Sequence, residues 1–135
     1  MDVDLVLSRY FYLYPFYRQV LELLPELTPA YIKKSRHIGE QLYVIRHVGV
    51  VIGVGRVRPD AETNTSAPTQ IPILSFVIIR ESYRRSGYAT MLFEYIRNEH
   101  QELQIQIPIK FKSKKLLLSF LASRKFPNKH IFFEN

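Results

Sequence analysis

The order of apolar and polar positions along the chain predicts first a helix and then a β-hairpin. After Pro15, four apolar residues recur at helical spacing and form one face: Phe16, Val20, Leu23 and Leu24. Pro25 ends this pattern, because proline breaks a helix when it falls inside one. Residues 41–57 contain two runs of β-branched residues joined through residues 47–49, which is typical of two antiparallel strands. We therefore expect an N-terminal helix followed by a hairpin.

A nearly continuous apolar run at residues 71–79 predicts a strand that is buried on both faces in the middle of a sheet. Pro72 marks the start of this strand, since proline fits poorly inside a central strand. Residues 59–68 are polar and rich in turn formers. We expect them to form a loop and to be the most mobile segment of the chain.

The C-terminal half of the chain predicts a helix, a strand, a second helix and a short last strand. Residues 88–99 have helical spacing, and their apolar face consists of Met91, Leu92, Tyr95 and Ile96. Residues 103–109 alternate between apolar and polar, which indicates a half-buried strand. Residues 114–124 form a basic amphipathic helix with the stripe Leu117, Leu118 and Leu121, and residues 129–133 suit a strand. The whole order predicts a single α/β (α+β) domain over residues 1–135.

Composition limits the classes to which the protein can belong. The chain has 135 residues, of which 47% are hydrophobic and 23% are charged, as in ordinary globular proteins. It has no cysteine, which excludes a disulfide, a zinc–thiolate site and a thiol nucleophile. The run at residues 71–79 is shorter than the roughly 20 residues of a membrane span, and Asp2 and Asp4 lie where a secretory signal would be basic. We expect a cytoplasmic protein with no metal site and no membrane partner.

The net charge of +7 is concentrated in the second half of the chain. Residues 80–125 hold ten of the 19 Lys and Arg residues but four of the 12 Asp and Glu residues. A local excess of this kind suits a polyanionic partner such as nucleic acid, an anionic membrane surface, an acidic protein or a phosphate-bearing cofactor. The alternative is a solvated surface that only aids solubility.

The junction at residues 76–90 joins the buried strand to a helix through a short basic turn with one glycine. The first amide N–H groups of a helix lack intrahelical acceptors and lie at the positive end of its dipole. Gly87 permits a positive φ or the close approach of an anion, and Ala89 keeps the next position small. The junction therefore predicts a phosphate site, unless the glycine serves only the geometry of the turn. It is not a P-loop, because no Gly-Lys-Ser/Thr sequence is present.

The spacing Arg84-x-x-Gly87-x-Ala89 resembles the (Gln/Arg)-x-x-Gly-x-(Gly/Ala) motif of the GCN5-related N-acetyltransferases. In that superfamily the turn binds the pyrophosphate of acetyl-CoA through backbone N–H groups, and the strand before it pairs with the pantetheine arm. The resemblance implies a mixed, mostly antiparallel sheet flanked by helices, with acetyl-CoA as cosubstrate. It also implies the following cofactor-binding residues: Val77, Ile78, Ile79, Arg84, Arg85, Ser86, Gly87, Tyr88, Ala89 and Thr90.

A narrower resemblance covers residues 75–134, which look like the α-tubulin N-acetyltransferases. It rests on the stretch from Glu81 to Tyr88 and on Ser113-Lys114-Lys115-Leu116-Leu117, which resembles a segment that also contacts acetyl-CoA. Ser113 and Lys115 are therefore implied as further cofactor-binding residues, and Ser113 is also placed to cap the last helix. The alternative for these residues is a basic, solvent-facing helix edge. That family has a cysteine on the strand before the motif and an aspartate before the second segment, and this chain has a counterpart of neither.

Acetyl transfer to an amine needs a proton acceptor, because a lysine ammonium has an ordinary pKa of about 10.4. It also needs an acid that protonates the leaving thiolate. The sequence offers as bases Glu40, Glu81, His37, His47 and His130, and as acids Tyr43, Tyr83 and Tyr88. Nothing in the sequence selects one of them, so the catalytic residues stay open.

Three functions are compatible with these features. The first is an acetyl-CoA-dependent N-acetyltransferase that acts on a protein amine, with a lysine of tubulin as the narrower hypothesis. The second is a CoA-binding scaffold with impaired catalysis, which the missing cysteine and aspartate favour. The third is a basic nucleic-acid-binding domain, which is disfavoured because the aromatic residues cluster near the N-terminus, away from the basic ones.

Overall fold

A computed structural model describes residues 1–33, 39–58 and 71–134 of the chain. The predicted loop at residues 59–68 and the candidate base His37 lie outside these ranges. The described strands are β1 (Asp2–Leu7), β2 (Gln41–His47), β3 (Val50–Arg58), β4 (Ile73–Ile79), β5 (Gln104–Pro108) and β6 (Ile131–Glu134). The described helices are α1 (Tyr17–Leu23), α2 (Pro29–Ile32), α3 (Tyr88–Glu99) and α4 (Lys114–Ser123). No helix in this part of the chain is long and apolar enough to cross a membrane.

The strands form one sheet in which their order follows the chain, from β1 at one edge to β6 at the other. The pairs β1–β2, β2–β3 and β3–β4 are antiparallel, and the pairs β4–β5 and β5–β6 are parallel. The predicted mixed, mostly antiparallel sheet with flanking helices is confirmed. The edge strand β1 was not predicted, because its acidic residues resemble a polar terminus. They lie instead opposite Arg46 of β2, whose Nε is 2.6 Å from Oδ2 of Asp4.

Each face of the sheet carries its own hydrophobic core. Helices α1 and α2 cover one face, where Val20 and Leu24 of the predicted helical stripe are buried. Helices α3 and α4 cover the other face, where Leu121 is buried. We refer to these as the α1/α2 face and the α3/α4 face. The two cores enclose the sheet from both sides.

The apolar face predicted for α3 was wrong, because the face that is buried lies part of a helical turn away from it. Met91 and Tyr95 are exposed, and the buried residues are Leu92, Phe93 and Ile96. The ring of Phe93 packs against Phe120 and Phe126, with centroid distances of 5.5 and 6.1 Å. These partners come from distant parts of the chain, so tertiary packing decides which side of the helix is buried.

The side chain of Ile96 on α3 packs over Gly55 of β3. A Cβ atom at Gly55 would lie 2.5 Å from Cδ1 of Ile96, closer than real contacts allow. The glycine therefore leaves room for this side chain where α3 crosses the strand.

Candidate functional site

The turn between β4 and α3 has the backbone conformation that the sequence predicted. A 3-10 turn at Glu81–Tyr83 follows the strand, and Arg85 and Gly87 then take positive φ values of 63° and 84°. The first bond of the helix runs from the Met91 N–H to the Gly87 carbonyl oxygen at 3.0 Å. No side chain caps this end of the helix. The N–H groups of its first turn therefore point toward solvent without an intrahelical acceptor, and a Cβ at Gly87 would meet no atom within 4 Å.

Two arginines fix this turn to the sheet. Nε of Arg80 donates to the Val51 carbonyl oxygen at 2.9 Å, and Nη1 of Arg80 lies 2.8 Å from a carboxylate oxygen of Glu22 on α1. Nε of Arg84 donates to the Ile79 carbonyl oxygen at 2.9 Å. These bonds hold the exposed Arg84 guanidinium at the end of β4, so the turn carries positive charge beside the free amides.

A β-bulge interrupts β4 near its start. Arg56 of β3 is opposite Phe76, but the next residue, Val57, is opposite Leu74. Ser75 is therefore the extra residue of the bulge, and its main chain is left out of the ladder with β3. Bulges of this kind bend a strand locally, and they are common next to active sites.

Strands β4 and β5 separate immediately after the point where they meet. Within these described strands they pair at two positions, through Ile73 and Leu74 of β4. A cavity of about 580 Å³ lies where the strands diverge, and it has a mainly apolar lining. Its walls include Phe76 and Gln106 as well as Phe93, and these residues lie on opposite faces of the sheet. The cavity thus connects the α3/α4 face with the α1/α2 face.

Three of the twelve predicted cofactor-binding residues line this cavity, and five more form the turn beside it. Val77, Ala89 and Thr90 line it, and the turn formed by Arg84, Arg85, Ser86, Gly87 and Tyr88 directly precedes that part of α3. The side chains of the other two strand residues pack elsewhere: Ile79 in the core of the α3/α4 face and Ile78 against the core of the α1/α2 face.

The second predicted segment begins α4 and also approaches the cavity. Phe111 and Leu117, on either side of Ser113 and Lys115, line its wall. Lys115 is exposed. Ser113 occupies the N-cap position, but the predicted side-chain cap is absent, and its φ of −94° and ψ of 26° lie outside the extended region that capping residues usually adopt. Its hydroxyl is thus not committed to capping the helix.

The candidate acids and bases lie in different surroundings. Glu40 is fully buried, and its Oε1 accepts a hydrogen bond from Nε of Arg56 at 2.6 Å. Burial raises the pKa of Glu40 to about 7. Glu81 and His47 are exposed, and His130 is half-buried with its ring 6.4 Å from that of Phe126. Among these bases, Glu40 is the one whose charged partner contacts a residue of the cavity wall.

The three tyrosines also differ. The hydroxyl of Tyr43 lies 3.0 Å from Nε2 of His100, and burial raises the pKa of Tyr43 to about 12. Tyr83 and Tyr88 pack edge to face at the turn, with centroids 6.1 Å apart. None of the three lines the cavity. Sequence reasoning missed Ser75, Phe76 and Gln106 of the cavity wall, because their positions depend on the bulge and on the separation of two strands.

Comparison with known proteins agrees with this geometry. Residues 7–110 match the model of the Acetyltransferase (GNAT) family. The structure of aminoglycoside N-acetyltransferase AAC(6')-Iy in complex with CoA is 13% identical, with a TM-score of 0.58 and 89% of each chain covered. That of ribosomal-protein-alanine N-acetyltransferase from Brucella melitensis biovar Abortus 2308 is 12% identical, with a TM-score of 0.59 and 89% of each chain covered. No curated protein matches the chain by sequence. The two structures share the fold with this chain.

Proposed function

Because the chain belongs to the acetyltransferase (GNAT) family, a family of N-acetyltransferases that use acetyl-CoA as cosubstrate, we propose that it acetylates an amine of a protein. One observation carries this proposal: the cavity between β4 and β5 adjoins a turn whose free amides and arginines suit a diphosphate. An apolar cleft with a few convergent polar groups is the usual form of a small-molecule site. Here the apolar part suits the pantetheine arm and the turn suits the pyrophosphate.

Each predicted residue has a place in this arrangement. The N–H groups that follow Gly87 bind the pyrophosphate, and Ser86 and Tyr88 belong to the same turn. Arg84, Arg85 and Lys115 attract the phosphates as positive charges, and Ser113 offers an uncapped hydroxyl. The main chain of β4 from Val77 to Ile79 faces the gap that β5 leaves open, and there it hydrogen-bonds the pantetheine amides.

We infer how the acetyl group is transferred from the position of the bulge at Ser75. The amine nitrogen attacks the thioester carbonyl carbon, a C–N bond forms, and the C–S bond breaks with its electron pair leaving on sulfur. Negative charge develops on the carbonyl oxygen during the attack. The main chain of Ser75, which lies outside the β3 ladder, provides an N–H donor for this oxygen. Preorganised donors of this kind lower the barrier because they need no rearrangement during the reaction.

The charges of the α1/α2 face favour a protein as the acceptor. The carboxylates described on this face are already paired with arginines: Asp4 with Arg46, Glu22 with Arg80, and both Glu26 and Glu40 with Arg56. Among the described residues, this face therefore has no free carboxylate that could bind a small polycationic substrate. Of the two structural neighbours, one is named for an aminoglycoside acceptor and the other for an alanine of a ribosomal protein. The charge pattern favours the second class.

A lysine of tubulin is the narrower candidate, and it rests on the resemblance of residues 75–134 alone. A scaffold with impaired catalysis is the alternative from another class, and it rests on the missing cysteine. A domain that binds nucleic acid through the basic residues of α4 and its surroundings is the third. These three can be separated by experiment.

Two measurements test the proposal. First, CoA at 100 times its Kd should stabilise the protein by about 2.7 kcal/mol, because it binds only the folded state. Second, acetyl-CoA should release free CoA when tubulin or ribosomal proteins are added as separate acceptors. Stabilisation without release from any protein would favour the scaffold. Absence of stabilisation, together with steeply salt-dependent retention on RNA, would favour the nucleic-acid-binding domain and refute the proposal.

A further inference from the structure

A group of polar side chains lies beside the cavity, mainly on the α1/α2 face of the sheet and apart from the turn between β4 and α3. We call it the Glu40 cluster, and it comprises Ser8, Tyr31, Glu40, Arg56, Arg58, Ser75 and Gln106. The backbone N–H of Ser8 donates to the Glu40 carbonyl oxygen at 3.0 Å, so the start of β2 is fixed beside the end of β1. The cluster therefore joins three strands and α2 at one place on the sheet.

Contacts connect Glu40 to the cavity wall. Glu40 holds Arg56 through the bond of 2.6 Å between Oε1 and Nε. The guanidinium carbon of Arg56 lies 4.9 Å from the ring centroid of Tyr31 and 5.5 Å from that of Phe76, which lines the cavity. A second connection runs through Arg58, whose Nη2 donates to Oε1 of Gln106 at 2.5 Å, and Gln106 also lines the cavity. The buried carboxylate is thus separated from the residues of the cavity wall by one arginine side chain.

The hydrogen bonding of this cluster is incomplete. Glu40 is fully buried and the side chain of Arg56 is 9% exposed, so both charges have lost most of their water. A buried ion pair repays that loss only when its remaining hydrogen bonds are made. Three buried atoms of the cluster nevertheless have no hydrogen-bond partner: Arg56 Nη2, Arg58 Nε and Ser75 Oγ.

Buried polar atoms that lack a protein partner are commonly satisfied by ordered water, which makes about three hydrogen bonds in such places. Ser75 lines the cavity, the next residue, Phe76, is opposite Arg56 in the β3–β4 ladder, and Arg56 pairs with Glu40. A general base that acts through one water molecule is within ordinary reach of its substrate. The placement of these atoms is therefore that of a proton path between the cavity and a carboxylate.

On this basis, and resting on the proposed acetyltransferase function, we propose that Glu40 accepts the proton of the attacking nucleophile through water held by Ser75 and Arg56. The nucleophile forms its bond to the acetyl carbon, the C–S electron pair leaves on sulfur, and the proton released moves to the Glu40 carboxylate. From there it returns to the thiolate or to solvent. Each cycle leaves Glu40 ionised and ready to accept again.

The groups that face Glu40 set the pH at which this step can operate. In the described residues these groups include Arg56 and Arg58 from β3, Tyr31 from α2, Ser8 after β1, and Glu26 from the segment between α1 and α2. Burial raises the pKa of Glu40 to about 7, and Glu26 acts in the same direction, whereas a hydrogen bond with Ser8 and the charge of Arg58 act in the opposite one. A base whose pKa lies near the working pH is the most effective, because it is both ionised and strong enough to take a proton.

Hydrolysis of acetyl-CoA, in which water takes the place of the amine, tests the proposal without a known acceptor. We expect the wild-type rate of CoA release to rise with pH up to about 7 and then to level off, as Glu40 ionises. Glu40→Gln keeps an oxygen that can accept from Arg56 but cannot take a proton. It should lower the rate at least about 100-fold, the usual contribution of a general base, and remove the rise with pH. Glu94→Gln, which also removes a carboxylate paired with an arginine, is the control and should leave the pH profile unchanged.

A second variant, Ser75→Ala, keeps the proposal testable if Glu40→Gln does not fold. Ser75→Ala removes one hydroxyl that has no hydrogen-bond partner, so it should leave the folded structure intact while slowing hydrolysis about 10-fold or more at unchanged KM for acetyl-CoA. Wild-type protein that binds acetyl-CoA but shows no hydrolysis, or the same pH profile in wild type and Glu40→Gln, would overturn the role of Glu40 and leave the cosubstrate site standing. An unchanged rate in Ser75→Ala would overturn the path. Failure of the wild type to bind acetyl-CoA would instead refute the proposed function.

Discussion

Replacement of Gly87 by tryptophan gives the sharpest test of the cofactor turn. The backbone of Gly87 has a φ of 84°, which costs a residue with a side chain about 1–2 kcal/mol. A Cβ atom at this position would meet no other atom within 4 Å, so the variant can fold. With an unfolding entropy of about 2.1 cal/mol/K per residue, 135 residues should lose about 4–7 °C in Tm. The indole would then occupy the space in front of the free amides.

The assay is the shift in Tm on addition of CoA. In wild type, CoA at 100 times its Kd should raise Tm by about 10 °C, which corresponds to about 2.7 kcal/mol on the same entropy scale. In Gly87→Trp this shift should vanish. Gly87→Ala separates the two effects, because it carries the strain of the positive φ but little of the obstruction. It should lose the same few degrees of Tm and keep part of the CoA shift.

Gly49→Trp is the matched control, because a Cβ at Gly49 also meets nothing within 4 Å and the residue lies in the turn between β2 and β3. Its CoA shift should equal that of wild type. If Gly87→Trp binds CoA as wild type does, the anion site is not at this turn. The same conclusion follows if Gly49→Trp loses the shift equally, since the loss would then not depend on the turn.

Three further substitutions probe the fold by chemical denaturation. Gly53→Ala should destabilise the protein by about 1–3 kcal/mol, because a Cβ at Gly53 would lie 2.7 Å from a backbone oxygen. Gly55→Ala should destabilise it by less, because a Cβ there would press only on the end of a flexible side chain. Equal losses of stability in the two variants would contradict this reasoning. Lys125→Gly should stabilise the protein by up to about 1 kcal/mol, because Lys125 follows the C-cap of α4 with a φ of 57°, which glycine adopts without strain. A loss of stability would show that the contacts of the Lys125 side chain outweigh this strain. Burial would raise the pKa of Asp4, but hydrogen bonds from Arg46 and Tyr14 lower it, so its contribution is present above the ordinary value of 3.8 and is lost as the pH falls below it. Asp4→Asn should therefore cost about 1–2 kcal/mol at neutral pH, and the difference from wild type should narrow in acid; a constant difference would refute the assignment.

Local patterns in the sequence were enough to predict much of this fold. The β-branched runs gave the hairpin of β2 and β3, and the apolar run gave β4, because each pattern is decided by neighbouring residues. The turn at Gly87 was predicted for the same reason, since a glycine between a strand and a helix has few other uses. The order of elements and the class of fold followed from these parts.

What the sequence could not predict depends on residues far apart in the chain. Asp4 in β1 is stabilised by Arg46, and the buried Glu40 is paired with Arg56. No local sequence pattern predicts either of these partners. The bulge at Ser75 exists only in the register between β3 and β4. The cavity exists only because β4 and β5 pair so briefly. The backbone of the turn proposed to bind the anion was thus readable from the sequence, whereas the bulge and the cavity were not.

The short contact between β4 and β5 has a consequence for how the molecule opens. Two residue pairs join one part of the sheet, β1 to β4, to the other part, β5 and β6. We expect amide hydrogens of β5 and β6 to exchange through a partial opening that leaves the hairpin closed, because few main-chain bonds hold these strands to the rest. A long ligand lying between the two parts acts as a missing strand and ties them together. Cosubstrate binding should then slow exchange in β5 and β6, far from the amides that we propose to bind its phosphates.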